Sequence, residues 1–206
     1  MADASRQRGQ RWESAFVWLL CATPLLIILF RGFTDNLTAN PIEFVLRDLG
    51  LWALRFLCLT LLLSPLAKLT RNGRVMRYRR RIGLWAFAYV CLHLTTYIAI
   101  DQQFDWSTIG ADIAKRPYIT IGMAAFVLLV PLAVTSASAI RRKMKPRSWR
   151  RLHRLVYLIA IMGVVHYLLL VKADISSPLL YGAIVAVLLL LRALPWRARS
   201  PGPSRA

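Results

Sequence analysis

Acidic residues are scarce in this sequence: nine Asp and Glu stand against 28 Lys and Arg in 206 residues, a net charge of +19. Charged residues of both signs make up only 18%, where a water-soluble domain carries about a quarter. That shortage excludes a small soluble enzyme, and the 57% hydrophobic content excludes a disordered chain. Cysteine is scarce too. Cys21, Cys58 and Cys91 lie singly in three apolar stretches with no CxxC pair, so they read as small packing residues. A thiolate-held iron–sulfur cluster would need more of them at closer spacing. Rossmann and P-loop glycine patterns are missing, and no internal repeat is evident.

What the sequence does hold is long apolar runs. About 20 mainly apolar residues carry a helix across the hydrocarbon of a bilayer. Six windows qualify: Trp12 to Phe30, Leu49 to Leu66, Ile82 to Ile100, Tyr118 to Ile140, Leu152 to Val171 and Leu179 to Leu194. Backbone groups in lipid must be bonded within their own segment, and these runs are too long for barrel strands. The expected fold is all-α, a polytopic membrane protein built as a six-transmembrane-helix bundle. Residues 1–11 form a basic N-terminal segment, 12–194 the membrane domain, and the Pro-, Ser- and Arg-rich residues 195–206 a disordered tail. The first run follows Arg6, Arg8 and Arg11 like a signal peptide, but its length and lack of a small-residue cleavage site mark a retained anchor.

Charge alternates sharply from loop to loop. Bases crowd before the first run, from Lys68 to Arg81, from Arg141 to Arg154, and from Arg192 onward. Asp35, Glu43, Asp48, Asp101, Asp105, Asp112 and Asp174 fall on the other side. The positive-inside rule then places both termini in the cytoplasm. The basic excess is thus a topology signal and an attraction to anionic lipid headgroups of the bilayer. No nucleic-acid-binding fold or groove accompanies it, so no nucleic-acid partner is expected.

All three histidines lie within the apolar runs: His93 in the third, His153 and His166 in the fifth. An intramembrane ionisable residue marks a functional site by default, the plainer reading being a neutral imidazole bonded to a neighbouring helix. The third and fifth runs cross in the same direction. His93 is about 16 Å and His166 about 21 Å deep at the helical rise, similar within the uncertainty of the ends. Imidazoles at one level on two helices can grip a haem b iron from both faces. His153 lies about 19.5 Å of rise before His166, at the edge of the span. The position that would answer it on the third run is Arg79 or Arg80, so one haem is expected and a second needs another ligand at His153.

Arg55 is the one strong base well away from the ends of a run, near the level of His93, where it could pair with a haem propionate or snorkel to headgroups. The stretches Arg77 to Arg81 and Trp149 to Arg154 could dock an acidic electron donor or a flavin phosphate, headgroup anchoring being the plainer reading. A structural zinc site wants four close ligands and the paired depth supplies two. A proton relay is open to histidine, but no run interior carries an Asp or Glu to extend it.

Several separated motifs together resemble one family. They are Asn40-Pro41-Ile42-Glu43-Phe44, Arg80-Arg81-Ile82-Gly83-Leu84, Tyr89 to His93, Lys115-Arg116-Pro117-Tyr118-Ile119-Thr120, Pro131-Leu132-Ala133-Val134-Thr135-Ser136 and Trp149 to Tyr157. In this order, from about Asn40 to Lys172, they resemble the MsrQ (YedZ) family within the ferric-reductase-like transmembrane group. The resemblance implies a bacterial inner-membrane electron-transfer subunit that is not itself the catalyst. It would take electrons from the respiratory quinone pool and hand them to MsrP, a periplasmic molybdopterin methionine-sulfoxide reductase. That partner restores methionine in oxidised envelope proteins. The resemblance also implies haem b, with His93, His153 and His166 as axial ligands, and an associated FMN to which no residue is assigned. The larger group often carries two histidines on each of two helices; this chain lacks one of the four. The acidic outer loops with Trp106 are the expected docking face for the partner. The rival readings are a ferric or other small-acceptor reductase, a His-dependent proton-coupled transporter, and a purely structural anchor.

Overall fold

In the computed structural model the backbone is described from residue 2 to residue 194, and side chains from Trp12 onward; the tail expected to be disordered lies outside the described residues. Helices joined by short turns account for the described residues, with no strand among them. α1 (Ala2–Phe33), α2 (Pro41–Leu69), α3 (Arg79–Thr95), α4 (Trp106–Lys115), α5 (Pro117–Val134), α6 (Ser138–Lys143), α7 (Pro146–His153), α8 (Leu155–Leu170) and α9 (Ser176–Ala193) follow in order. A 3₁₀ turn, Gly73–Tyr78, leads into α3, and a π-helical turn, Thr96–Asp101, ends it. Among the described residues, six helical segments are long and apolar enough to cross a membrane, as expected.

The segments differ from the apolar windows at their ends, for local reasons. α2 begins eight residues before the second window because Asn40 caps it, its side chain accepting from the Glu43 N–H, and Pro41 suits the first turn. The fourth crossing ends at Val134 instead of reaching Ile140. Thr135 and Ser136 fold their hydroxyls back onto Pro131 and Leu132 carbonyls, and the chain turns into short α6. The fifth crossing starts at Pro146 and is interrupted at Arg154, between α7 and α8.

α2 is the centre of the bundle. It packs on α3, α8 and α9 and carries more of the buried core than any other described helix, with Leu61 fully enclosed. α3 lies along α2, and α8 lies along α5. α1 packs on α2 and α3, and its outer face, where described, is almost entirely exposed apolar side chain, from Trp12 at 73% to Phe30 at 67%. A face of that kind is suited to lipid.

Two intrahelical prolines leave defects that distant side chains fill. Pro65 lacks the N–H that would bond the Leu61 carbonyl. The Arg192 guanidinium reaches from α9 and donates to that oxygen through Nε (3.0 Å) and a terminal nitrogen (2.6 Å). Beside Pro24 in α1, the buried Tyr89 hydroxyl donates to the Cys21 carbonyl (3.0 Å) and accepts from the Leu25 N–H (3.0 Å). Those are the two groups a regular helix would pair with each other. Tyr89 thereby fastens α1 to α3.

Candidate cofactor site between two histidines

His93 on α3 turns its ring onto α2. Its Nδ1 lies 2.9 Å from the Leu46 carbonyl, and the ring covers Gly50, one turn further on. A Cβ at Gly50 would stand 3.3 Å from that Nδ1. His166 on α8 repeats the arrangement on α5. Its Nδ1 lies 2.6 Å from the Tyr118 carbonyl, and a Cβ at Gly122, again four residues on, would stand 2.9 Å from it. Each cradle thus consists of a carbonyl and, one turn later, a glycine that lets an imidazole lie on the helix backbone. A carbonyl can only accept, so each Nδ1 carries the proton and each Nε2 keeps its lone pair. Neither Nε2 has a hydrogen-bonding partner among the described residues.

The two rings are neighbours. Their centroids are 6.2 Å apart and their planes lie 85° to each other. Two metal–nitrogen bonds of about 2 Å, plus roughly 1 Å from each nitrogen to its ring centre, give about 6 Å for imidazoles on opposite sides of one metal ion. The observed separation is close to that figure. No group of three or more His, Cys, Asp or Glu is assembled among the described residues, so a metal held by protein ligands alone has no closed cage.

Near the pair, the adjoining ends of α3, α4 and α5 are tied by polar side chains. Asp112, buried on α4, accepts from the Tyr97 hydroxyl (3.0 Å) and pairs with Arg116 (2.9 Å). Arg116 in turn donates to the Tyr118 hydroxyl (3.2 Å), which holds its guanidinium pKa above the ordinary value. The residue whose carbonyl seats His166 is thereby fixed from its side chain as well. Tyr97 sits in the π-helical turn that begins three residues past His93, a local irregularity often found at functional sites.

Arg55 lies over the Trp52 ring (4.5 Å) and donates through Nε to the Tyr181 hydroxyl (2.9 Å). Its two terminal nitrogens have no hydrogen-bond partner among the described residues. His153 is not brought to the pair. It ends α7, stacks on Trp149 (4.1 Å) and lies with Nε2 3.0 Å from the Thr135 hydroxyl oxygen. The Thr135 hydroxyl also lies 2.6 Å from the Pro131 carbonyl, to which it donates, so the His153 Nε2 supplies the proton between them.

Residues 49–164 match the ferric reductase like transmembrane component family. A Caulobacter vibrioides protein named the heme-binding subunit MsrQ of protein-methionine-sulfoxide reductase is 50% identical over 183 residues, covering 89% of this chain and 86% of its own. Its Rhodospirillum rubrum namesake is 50% identical over 179 residues, 87% and 86% of the two chains. One from Herminiimonas arsenicoxydans is 48% identical over 170 residues, 81% and 78%. This chain belongs to the MsrQ family. The matched ferric-reductase-like stretch takes in His93, Gly50, Tyr118, Gly122 and His153 and closes two residues before His166.

Three features of this MsrQ-family chain escape a reading of side-chain chemistry alone. The glycines and carbonyls of the cradles carry no ionisable group, although the shared i, i+4 spacing of Leu46–Gly50 and Tyr118–Gly122 is a signal once the histidines are paired with helices. Tyr89 belongs to a family-like motif, but its hydroxyl serves α1. Arg192, counted with the topology-setting bases, is bonded inside the bundle instead.

Proposed function

We propose that this chain is a haem b-binding electron-transfer subunit, resident in the bacterial inner membrane with both termini cytoplasmic. In this reading it takes electrons from the quinone pool and serves MsrP, the periplasmic molybdopterin methionine-sulfoxide reductase. The observation that carries the proposal is the His93–His166 pair at 6.2 Å with both Nδ1 atoms bonded to backbone. The relatives named as heme-binding subunits of methionine-sulfoxide reductase point the same way.

The residues present fit a haem. His93 and His166 would hold the iron through Nε2, and the ring-to-ring spacing suits one iron. Hydrogen bonds from Nδ1 to carbonyls fix the tautomer and raise the basicity of the coordinating nitrogen. Gly50 and Gly122 keep the rings seated low on α2 and α5. Arg55, with its terminal nitrogens unused, is the base placed to meet a propionate carboxylate. Haem, when bound, supplies one-electron exchange with little rearrangement, which amino-acid side chains do not offer at modest potential. The chain's own contribution is to seat the ligands rigidly and exclude water with apolar helices. Asp101, Asp105 and the exposed Trp106 sit at the same end of the bundle and offer the partner an acidic, partly aromatic face.

The test is haem content per purified chain, by reduced-minus-oxidised spectra. His93→Ala and His166→Ala are each expected to abolish the reduced haem absorbance, and His153→Ala to weaken or shift it. Undiminished absorbance in both of the first two variants would overturn the ligand assignment. Reduction of chelated iron without a periplasmic partner would favour the small-acceptor reductase instead.

A further inference from the structure

Among the described residues Asp112 on α4 is the only charged side chain that is buried, at 7% exposure. A carboxylate tolerates such surroundings when its oxygens are paired and hydrogen-bonded. Both oxygens are taken. Oδ2 accepts from the Tyr97 hydroxyl (3.0 Å), and Oδ1 accepts from Arg116 Nε (2.9 Å).

The two partners belong to opposite halves of the histidine site. Tyr97 lies one turn past His93, in the π-helical turn that ends α3, where the Thr96 N–H is shared between the Leu92 and His93 carbonyls. Arg116 leads to the other half. Its terminal nitrogen donates to the Tyr118 hydroxyl (3.2 Å), and the Tyr118 carbonyl lies 2.6 Å from His166 Nδ1. Arg116 also opens α5, its own carbonyl accepting from the Ile119 and Thr120 N–H groups. One carboxylate is thus bonded to the turn that follows one histidine and, through one guanidinium, to the residue that seats the other.

These attachments bear on how the rings are turned. A histidine ring swings about its Cβ–Cγ bond unless the Nδ1 proton has a fixed acceptor, and the acceptor for His166 moves with the first turn of α5. His93 rides on the last turns of α3, and its ring plane lies 85° from that of His166. We propose that Asp112 is a positioning residue that holds the two imidazole planes near perpendicular. Its role rests on the haem reading of the pair and names a group outside the pair that sets the ligand geometry.

Electron paramagnetic resonance of the full chain, purified with its haem and oxidised, provides the test, because the largest principal g-value of a ferric haem between two imidazoles falls as their planes approach parallel. Wild type is expected to give the large value. Asp112→Ala cuts both arms and should shift it downward and broaden the signal. Tyr97→Phe and Arg116→Gln each cut one arm and should shift it the same way by less, and they carry the test where Asp112→Ala does not fold. Asp174→Asn removes an exposed carboxylate that accepts from the Ser176 N–H at the start of α9, and should leave the value unchanged. A lower melting temperature with the wild-type g-value in the haem-loaded Asp112, Tyr97 and Arg116 variants would mean that Asp112 serves stability alone; that overturns the proposal and leaves the haem reading standing. A shift in Asp174→Asn as large as that in Asp112→Ala overturns it too, since loss of a distant charge would then suffice. A wild type without a low-spin signal overturns the haem reading and this role together.

Discussion

The His166 ring lies so low over Gly122 that a Cβ there would meet its Nδ1 at 2.9 Å and its Cε1 at 3.0 Å. That contact cannot be relieved by a small rotation, because the same Nδ1 is held 2.6 Å from the Tyr118 carbonyl. Gly122→Ala is therefore expected to displace the ring and lower haem affinity about 10–100-fold, as loss of a ligand-orienting contact does. Gly50→Ala, whose Cβ would meet His93 Nδ1 at 3.3 Å, should cost less. Titrating haem into the two purified apo-variants checks the order; a larger loss at Gly50 would contradict it.

Tyr89→Phe keeps the ring contacts with Phe56 and Trp85 but removes the hydroxyl that serves Cys21 and Leu25. Two backbone groups beside Pro24 lose a partner, and the expected cost is about 1–3 kcal/mol. Unfolding of the full chain in detergent should show it, with haem content unchanged. Unaltered stability would mean that the bridge across α1 is dispensable.

The pairing of Arg192 with the carbonyl freed by Pro65 predicts a rescue. Arg192→Met strands the Leu61 oxygen and should destabilise by about 1–3 kcal/mol. Pro65→Ala restores the missing N–H, so Arg192→Met made in that background should cost clearly less. A double-mutant cycle reads the coupling directly. Strict additivity would show that the guanidinium does not act through this carbonyl.

Asp105 caps α4, accepting from the Ser107 and Thr108 N–H groups and from the Thr108 hydroxyl. Its carboxyl is fully exposed, and those hydrogen bonds, the Thr108 hydroxyl first, hold its pKa below the ordinary value. A depressed folded-state pKa means the cap contributes fully above the unfolded value, about 3.9, and is lost as pH falls through the folded one. The protection of the Ser107 and Thr108 amides, relative to the free-peptide exchange rate at each pH, should fall below about pH 4 in wild type. In Asp105→Ala it should be low at every pH. Protection that does not change with pH in wild type would remove the cap from the account.

The six crossings were legible because lipid imposes one rule, some 20 apolar residues per span, and the sequence obeys it six times. The levels of His93 and His166 were legible for a similar reason, since helical rise converts residue number into depth. What depth does not give is azimuth. That the two rings meet depends on Gly50 and Gly122, whose effect is steric and visible only once α3 lies on α2 and α8 on α5. Arg192 was read as one more interfacial base for the same kind of reason. Its inward turn is caused by Pro65, a residue 127 positions earlier, through an oxygen that no side-chain pattern reports. The end of the fourth crossing was set too late because Ile140 is apolar, while Thr135 and Ser136 had already turned the chain.

The central claim is that His93 and His166 bind one haem iron between them, and electron paramagnetic resonance of the oxidised wild-type protein tests it most directly. Rings fixed by the Leu46 and Tyr118 carbonyls at 85° to each other predict a low-spin ferric signal with the large principal g-value of near-perpendicular imidazoles. His93→Ala and His166→Ala should each eliminate that signal. A high-spin spectrum in wild type, or a low-spin signal that survives both substitutions, would contradict the account.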